Sequence, residues 1–403
     1  MGHRPHPRAV AATLVVAILP TLASCAPQAE PPPESTSPGW PGETWPVSTP
    51  AAENVSGAVL DSIDAEIRAG EFGRIDHFLV IRHGKLIYDR HYERDYAALA
   101  VADGRDTTHH TYNYDDPRWH PYYDGSALHT LQSVTKSITS LALGIAVDEG
   151  HIDGVEVPAM SFFDAYAPDM SDPRRRAMTL RNLLTMRSGI DWNEELPYDD
   201  PENTCIQMEA SDDWIRFVLD RPMREEPGTR FDYNSGVSVL LGKVVGVATG
   251  TRVDRWTAER LFAPLGIRNW HWKITPDGEV DTEGGLYLAP RDLARVAYLV
   301  LRNGRWGDRQ VVSEAWIRES AHPWVRFPDP EEGPSTGGYG FQWWLEHDDG
   351  ETAAIAGSGY GGQYPFVVPD KDLVVVFNAW NIHGRPARNS ADAILTRIVP
   401  AAR

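Results

Sequence analysis

The stretch Leu131-Gln132-Ser133-Val134-Thr135-Lys136-Ser137-Ile138-Thr139-Ser140-Leu141-Ala142-Leu143-Gly144-Ile145 sets a serine and a lysine three residues apart where a predicted helix begins, then turns almost wholly apolar. Residues three apart share a helix face, with Cβ atoms about 5 to 6 Å apart. The pair stands at the entrance to a helix that is buried beyond its first turn, whereas a solvated Ser and Lys would fall on an exposed face. A lysine that is neutral part of the time can take the serine proton. Burial and the positive helix end both lower its pKa, and arginine, which stays charged, could not replace it. Ser133 is therefore expected to be a nucleophile and Lys136 its base.

Working outward, Phe231-Asp232-Tyr233-Asn234-Ser235-Gly236 follows Pro227-Gly228-Thr229. A tyrosine titrates near 10, but a neighbouring ammonium favours the phenolate, so Tyr233 could shuttle a proton between Ser133 and a leaving group. A third element, Ala356-Gly357-Ser358-Gly359-Tyr360-Gly361-Gly362-Gln363, leads into a strand. Its glycines would let a substrate carbonyl approach the backbone, and an amide there could pair with that of Ser133 as an oxyanion hole. It lacks the Lys-Ser/Thr ending of a phosphate-binding loop and the spacing of a dinucleotide fingerprint.

The chain of 403 residues is 42% hydrophobic and 24% charged, a globular composition with a large core. Its net charge of −19 is spread without a basic patch, which argues against nucleic acid as a partner. Helical spacing predicts helices over Val55 to Ala69, Leu180 to Met186, Asp213 to Leu219, Val237 to Ala248 and Pro290 to Asn303. Strands are predicted over Phe78 to Ile81 and Lys85 to Tyr88, joined at His83-Gly84, and over Gln363 to Val368 and Leu373 to Ala379. Strands at both ends with helices between them predict an α+β fold: an antiparallel sheet built from both chain ends, with an inserted helical lobe.

The first fifty residues read differently. Arg4 and Arg8 precede an apolar run from Ala9 to Leu22, too short to span a bilayer as a helix and suited to a signal peptide over 1–24. Leu22-Ala23-Ser24-Cys25 resembles the bacterial lipobox, which would place a lipid on Cys25 and anchor the exported protein on the outer face of the cell membrane or in the periplasm. Residues 25–51 hold 8 prolines and are expected to act as an extended tether before one domain over 52–403. With only Cys25 and Cys205 in the chain, and the first acylated, Cys205 is a plain thiol.

Ser133-Val134-Thr135-Lys136, Leu183-Leu184-Thr185-Met186-Arg187-Ser188-Gly189-Ile190, Tyr233-Asn234-Ser235 and Gly359-Tyr360-Gly361-Gly362-Gln363 together resemble the penicillin-recognising serine hydrolases, over roughly residues 55 to 400. That family holds D-alanyl-D-alanine peptidases, class C β-lactamases, esterases and 6-aminohexanoate-dimer hydrolases. The resemblance implies a β-lactamase/transpeptidase-like fold, catalysis by Ser133, Lys136 and Tyr233, and an oxyanion hole from the amides of Ser133 and Tyr360. Two departures resemble the 6-aminohexanoate-dimer hydrolase and esterase branch. Gly357-Ser358-Gly359 stands where many relatives carry Lys-Thr-Gly or His-x-Gly, and Tyr-x-Ser stands where class C enzymes have Tyr-x-Asn. Tyr198-Asp199-Asp200-Pro201 is similar to a loop of that branch whose tyrosine holds the substrate amide, and Glu209 falls near the residue that receives a substrate amine. Ser235, Gly357, Ser358 and Gly359 complete the implied substrate-binding set.

The expectation is a serine hydrolase for small amides or esters, needing no metal or organic cofactor. A D-amino-acid peptidase or β-lactamase is the same-class alternative, and a non-catalytic ligand-binding lipoprotein the other. The motif Gly333-Pro334-Ser335-Thr336-Gly337 fits the nucleophile elbow in spacing, but has neither a strand before it nor a helix after it. His109, His110 and His120, near Asp115 and Asp116, lack metal-ligand spacing and are read as a solvated loop.

Overall fold

The computed structural model describes residues 40–108, 112–327, 337–348 and 351–403. The expected signal peptide and Cys25, most of the tether, His109, His110 and the core of the Gly333 motif lie outside the described residues.

The hairpin read at His83-Gly84 forms because both residues take positive φ, 49° and 73°, the requirement of a two-residue turn that matches strand twist. It joins β1 (Ile75–Arg82) to β2 (Lys85–His91). From the other end of the chain come β3 (Val325–Phe327), β4 (Gly337–Tyr339), β5 (Trp344–Asp348), β6 (Glu351–Ala356), β7 (Tyr364–Val368) and β8 (Leu373–Ala379). The eight strands run β2-β1-β8-β7-β6-β5-β4-β3, every pair antiparallel. The first and last strands of the chain's sheet therefore meet in its interior, at β1 and β8, as the sequence implied.

Alternation along β1 splits the core in two. Phe78 and Val80 face a cluster with Leu60, Ile63 and Ile67 of α1 (Gly57–Arg68), while Leu79 and Ile81 face the helical lobe. Phe78 stacks on its cross-strand partner Phe377 with centroids 4.5 Å apart. Because both faces are covered, β8 is apolar without interruption apart from Asn378, and all of it is buried.

The lobe between β2 and β3 is built on α2 (Val134–Asp148), α3 (Thr204–Glu209), α4 (Trp214–Asp220), α5 (Ser235–Thr249) and α6 (Pro290–Leu301). Asp213 caps α4 by accepting from Arg216 N at 2.7 Å. Gly144 sits mid-helix in α2 because a Cβ there would meet the ring of Trp316 at 2.5 Å. The end of the expected tether is packed: Trp45 is buried against Tyr298 of α6, and Arg295 donates to the carbonyls of Gly42 and Glu43. Two tryptophans, Trp40 and Trp45, give this proline-rich stretch the apolar area that the rest of it lacks.

Candidate active site

Ser133 stands at the mouth of α2, in helical conformation but one residue ahead of the helix proper. The residue before it, Gln132, takes φ 48°, a left-handed conformation that costs a non-glycine residue about 1 kcal/mol or more. The kink is held by neighbours: Leu131 N donates to Leu286 O at 2.9 Å, Leu286 N to Thr135 Oγ1 at 3.2 Å, and Gln132 Nε2 to Thr130 Oγ1 at 3.0 Å. A strained turn fixed on both sides sets the direction of the Ser133 side chain.

Lys136 is 1% exposed. Its Nζ donates to Ser133 Oγ at 3.0 Å, to Glu283 O at 2.8 Å and to Glu283 Oε2 at 3.0 Å. An ammonium has three N–H bonds, and all three are used. Burial pushes this lysine down, but Tyr233, Glu283 and Glu194 outweigh it and hold it well above its ordinary value. The partly neutral Lys136 expected from burial meets partners that favour its charged form. The sequence could show the burial; it could not show the carboxylate waiting for the charge.

Tyr233 directly precedes α5, whose N-cap Asn234 accepts from Val237 N at 3.1 Å. The Tyr233 ring lies with its centroid 5.3 Å from Lys136 Nζ and stacks on Trp344. Burial raises its phenol, while Lys136 and the Ser133 hydroxyl pull it down without restoring the ordinary value. The three residues picked out by sequence are thus brought together.

The loop Gly357–Gly359 packs beside them. A Cβ on Gly357 would meet Val134 at 3.1 Å, and one on Gly359 would strike the carbonyl of Leu131. The loop therefore touches the chain on both sides of Ser133, which only glycine allows. Among the described residues, the amides of Ser133 and Tyr360 donate to no protein acceptor, as an oxyanion hole requires. Ser358 reaches Tyr364 instead of presenting a cation.

Two carboxylates that sequence reasoning did not assign organise the site. Glu194, inside the acidic loop, is buried and accepts from Trp192 Nε1 at 2.8 Å, Tyr198 Oη at 2.8 Å, Ser235 N at 2.7 Å and Ser235 Oγ at 2.6 Å. This clasp ties the first turn of α5 and the Tyr198 loop together. The Ser235 hydroxyl and amide meet Glu194, and Tyr198 gives its hydroxyl to the same group while its ring packs on Tyr360 at 5.0 Å.

Glu283 is the second. Burial pushes its carboxyl up, but the Lys136 ammonium wins and holds it ionised, with Glu209 hydrogen-bonded behind it. Burial and Glu283 push Glu209 well up. Glu209 is therefore turned to Glu283. Cys205 Sγ and one oxygen from each of these carboxyls lie within 4.8 Å of one another; burial raises the thiol, and Glu283 is already paired with the Lys136 ammonium. His120 Nε2 meets the Asp115 carbonyl at 2.7 Å, while the Asp115 carboxylate takes His383 at 2.8 Å. Glu283 lies 147 residues from Lys136 in an acidic turn, and no spacing rule connects them.

The model of the family described as Beta-lactamase matches residues 77–399. The 6-aminohexanoate-dimer hydrolase of Paenarthrobacter ureafaciens is 28% identical over 268 residues, 62% of this chain and 66% of that protein; the chain thus spans just under two thirds of its length. Among solved structures, a penicillin binding protein from Bacillus halodurans matches with TM-score 0.58 at 17% identity, over 84% of this chain and 98% of that one. A family VIII carboxylesterase matches with TM-score 0.60 at 17% identity, over 89% and 98%. These likenesses bear out the β-lactamase/transpeptidase-like fold expected from the sequence. With the family model covering the sheet, the lobe and all three residues gathered at the mouth of α2, the chain belongs to the Beta-lactamase family.

Proposed function

We propose that the chain is a serine hydrolase that cleaves small amides or esters through an acyl-enzyme on Ser133. The observation that carries this reading is the 3.0 Å contact of Lys136 Nζ with Ser133 Oγ, made while the other two N–H bonds of that ammonium are held by Glu283. A lysine held charged is not the base. Tyr233, as the phenolate that the neighbouring ammonium stabilises, takes the Ser133 proton, and Lys136 steadies the alkoxide. Attack on the carbonyl places the oxyanion between the amides of Ser133 and Tyr360. Tyr233 returns its proton to the leaving group, and water releases the acid by the same route.

The relative named a 6-aminohexanoate-dimer hydrolase supports an amide-cleaving activity, and the neighbour named a carboxylesterase an ester-cleaving one. The absence of Lys or His in Gly357-Ser358-Gly359 disfavours substrates that depend on a carboxylate at that strand, β-lactams among them. The test is intact-mass detection of an acyl adduct with p-nitrophenyl butyrate. Wild type should gain one acyl group and Ser133→Ala none; an adduct on the folded Ser133→Ala variant, or none on wild type, overturns the assignment and, in the second case, favours a ligand-binding protein. Export and a lipid on Cys25 are proposed from the lipobox-like Leu22-Ala23-Ser24-Cys25; incorporation of a labelled fatty acid that Cys25→Ser abolishes would support them.

A further inference from the structure

The hairpin at the sheet's edge carries a second set of donor groups. His77 and His91 are direct cross-strand partners, so both side chains leave the same face. Their rings stack with centroids 4.4 Å apart and planes 3° apart. Tyr122 Oη lies 2.9 Å from His77 Nε2 and 3.3 Å from His91 Nε2. All three line a cleft of about 870 Å³, and none of the residues gathered around Ser133 does.

A phenol has one proton to give. Tyr122 can donate to only one Nε2 and accepts from the N–H of the other. Burial, with His129 and His91 adding to it, pushes His77 down to about 2, which keeps its ring neutral. Burial and Asp76 push the Tyr122 phenol up. Of the flanking carboxylates, Asp76 accepts from His129 and Tyr96 and faces Arg94, Asp89 is paired with Arg291, and Glu93 lines the cleft beside Arg94. What remains is two imidazole nitrogens and one phenol oxygen converging at the wall of an open cleft.

We propose that His77, His91 and Tyr122 bind a divalent transition-metal ion, copper(II) in preference to nickel or zinc. Imidazole suits all three metals, and affinity for a given nitrogen and oxygen site peaks at copper. On binding, the ring that carried its proton on Nε2 moves it to Nδ1, Tyr122 gives its phenolic proton to solvent, and the ion takes two nitrogen lone pairs and the phenolate oxygen. One proton leaves per ion and no electron is transferred.

The experiment titrates copper(II) into the purified chain, the His77→Ala/His91→Ala double variant and Tyr122→Phe. Wild type should bind one equivalent more than the double variant, a difference that discounts the other histidines. Either single histidine variant should lose at least about 100-fold in affinity at this site. Wild type should show a visible phenolate-to-copper absorption band that Tyr122→Phe lacks while still binding the ion. Hydrolysis of a p-nitrophenyl ester by the double variant shows that it is folded; should it not fold, electron paramagnetic resonance of wild type must show two imidazole nitrogens on the copper. Equal stoichiometry in wild type and a folded double variant, a copper signal without those nitrogens, or a band that survives Tyr122→Phe overturns the proposal.

Discussion

Lys136 and Lys273 are both buried, at 1% and 4% exposure, yet their surroundings push them in opposite directions. Lys136 has three acceptors around Nζ, two of them from Glu283, and is held above its ordinary value. Lys273 lies over the rings of Trp119 and Tyr112 at 4.9 and 5.2 Å, and burial pushes it down despite Asp281, Glu209 and Glu283. Carboxylates act on both lysines, but at Lys273 they do not offset the burial that they outweigh at Lys136. Burial alone therefore does not say whether a lysine is a base. The partners decide, and at Ser133 they favour a lysine that works as a charge.

Replacing Lys136 should have the largest effect. Lys136→Met removes the stabiliser of both the Ser133 alkoxide and the Tyr233 phenolate and leaves Glu283 without its cation, so kcat/KM for a p-nitrophenyl ester should fall by about 10³-fold or more. Lys273→Met should change it by less than about threefold, since it is Lys136 that holds Ser133 Oγ at 3.0 Å. Equal losses would erase the contrast between the two.

Glu283→Gln sharpens it. The amide keeps the shape but not the charge that raises both Lys136 and Tyr233. Both groups should titrate lower, so the alkaline rise in activity should move to lower pH, with kcat reduced about tenfold at its maximum. A profile that stays in place would mean that Glu283 only fills space.

The smallest effect is on stability. Burial raises Asp281 to about 7 from a free value of 3.8, so the stability linked to its protonated form is full below about pH 4 and is lost as pH rises through 7. Lys273 pulls Asp281 down, and Lys273→Met removes that pull, extending the loss to higher pH. The variant minus wild-type difference in unfolding free energy should thus become more negative between pH 5 and pH 8.5, by roughly 1 kcal/mol for each unit that Asp281 moves. Denaturant melts at the two pH values measure it, and a difference that grows more positive would contradict the pull of Lys273 on Asp281.

What the sequence disclosed follows the same line between local and distant partners. Ser133 and Lys136 were legible because their relation is three residues along one helix, and β1, β2, β7 and β8 because each is a run of apolar residues bounded by a turn. Strands β3 to β6 were not foreseen: β3 and β4 are three residues each, and β5 and β6 mix charge with apolar residues. Glu194 looked like one acid among eight between residues 194 and 213, and only the fold brings Ser235 across 41 positions to it. The close packing of Gly357 and Gly359 against the chain on both sides of Ser133 was legible because glycines announce a close approach of backbones. Charge partners set by tertiary packing leave no such mark.

Which group takes the Ser133 proton is tested most directly by the pH dependence of single-turnover acylation by p-nitrophenyl acetate, in wild type and in Tyr233→Phe. With Lys136 held as an ammonium and Tyr233 raised above its ordinary value, the wild-type rate should climb steadily through pH 9 with no plateau near neutrality. Tyr233→Phe should lose both the climb and about 10²-fold or more of the rate. A folded Tyr233→Phe variant with the wild-type rate and profile would contradict the account and return the role of base to Lys136.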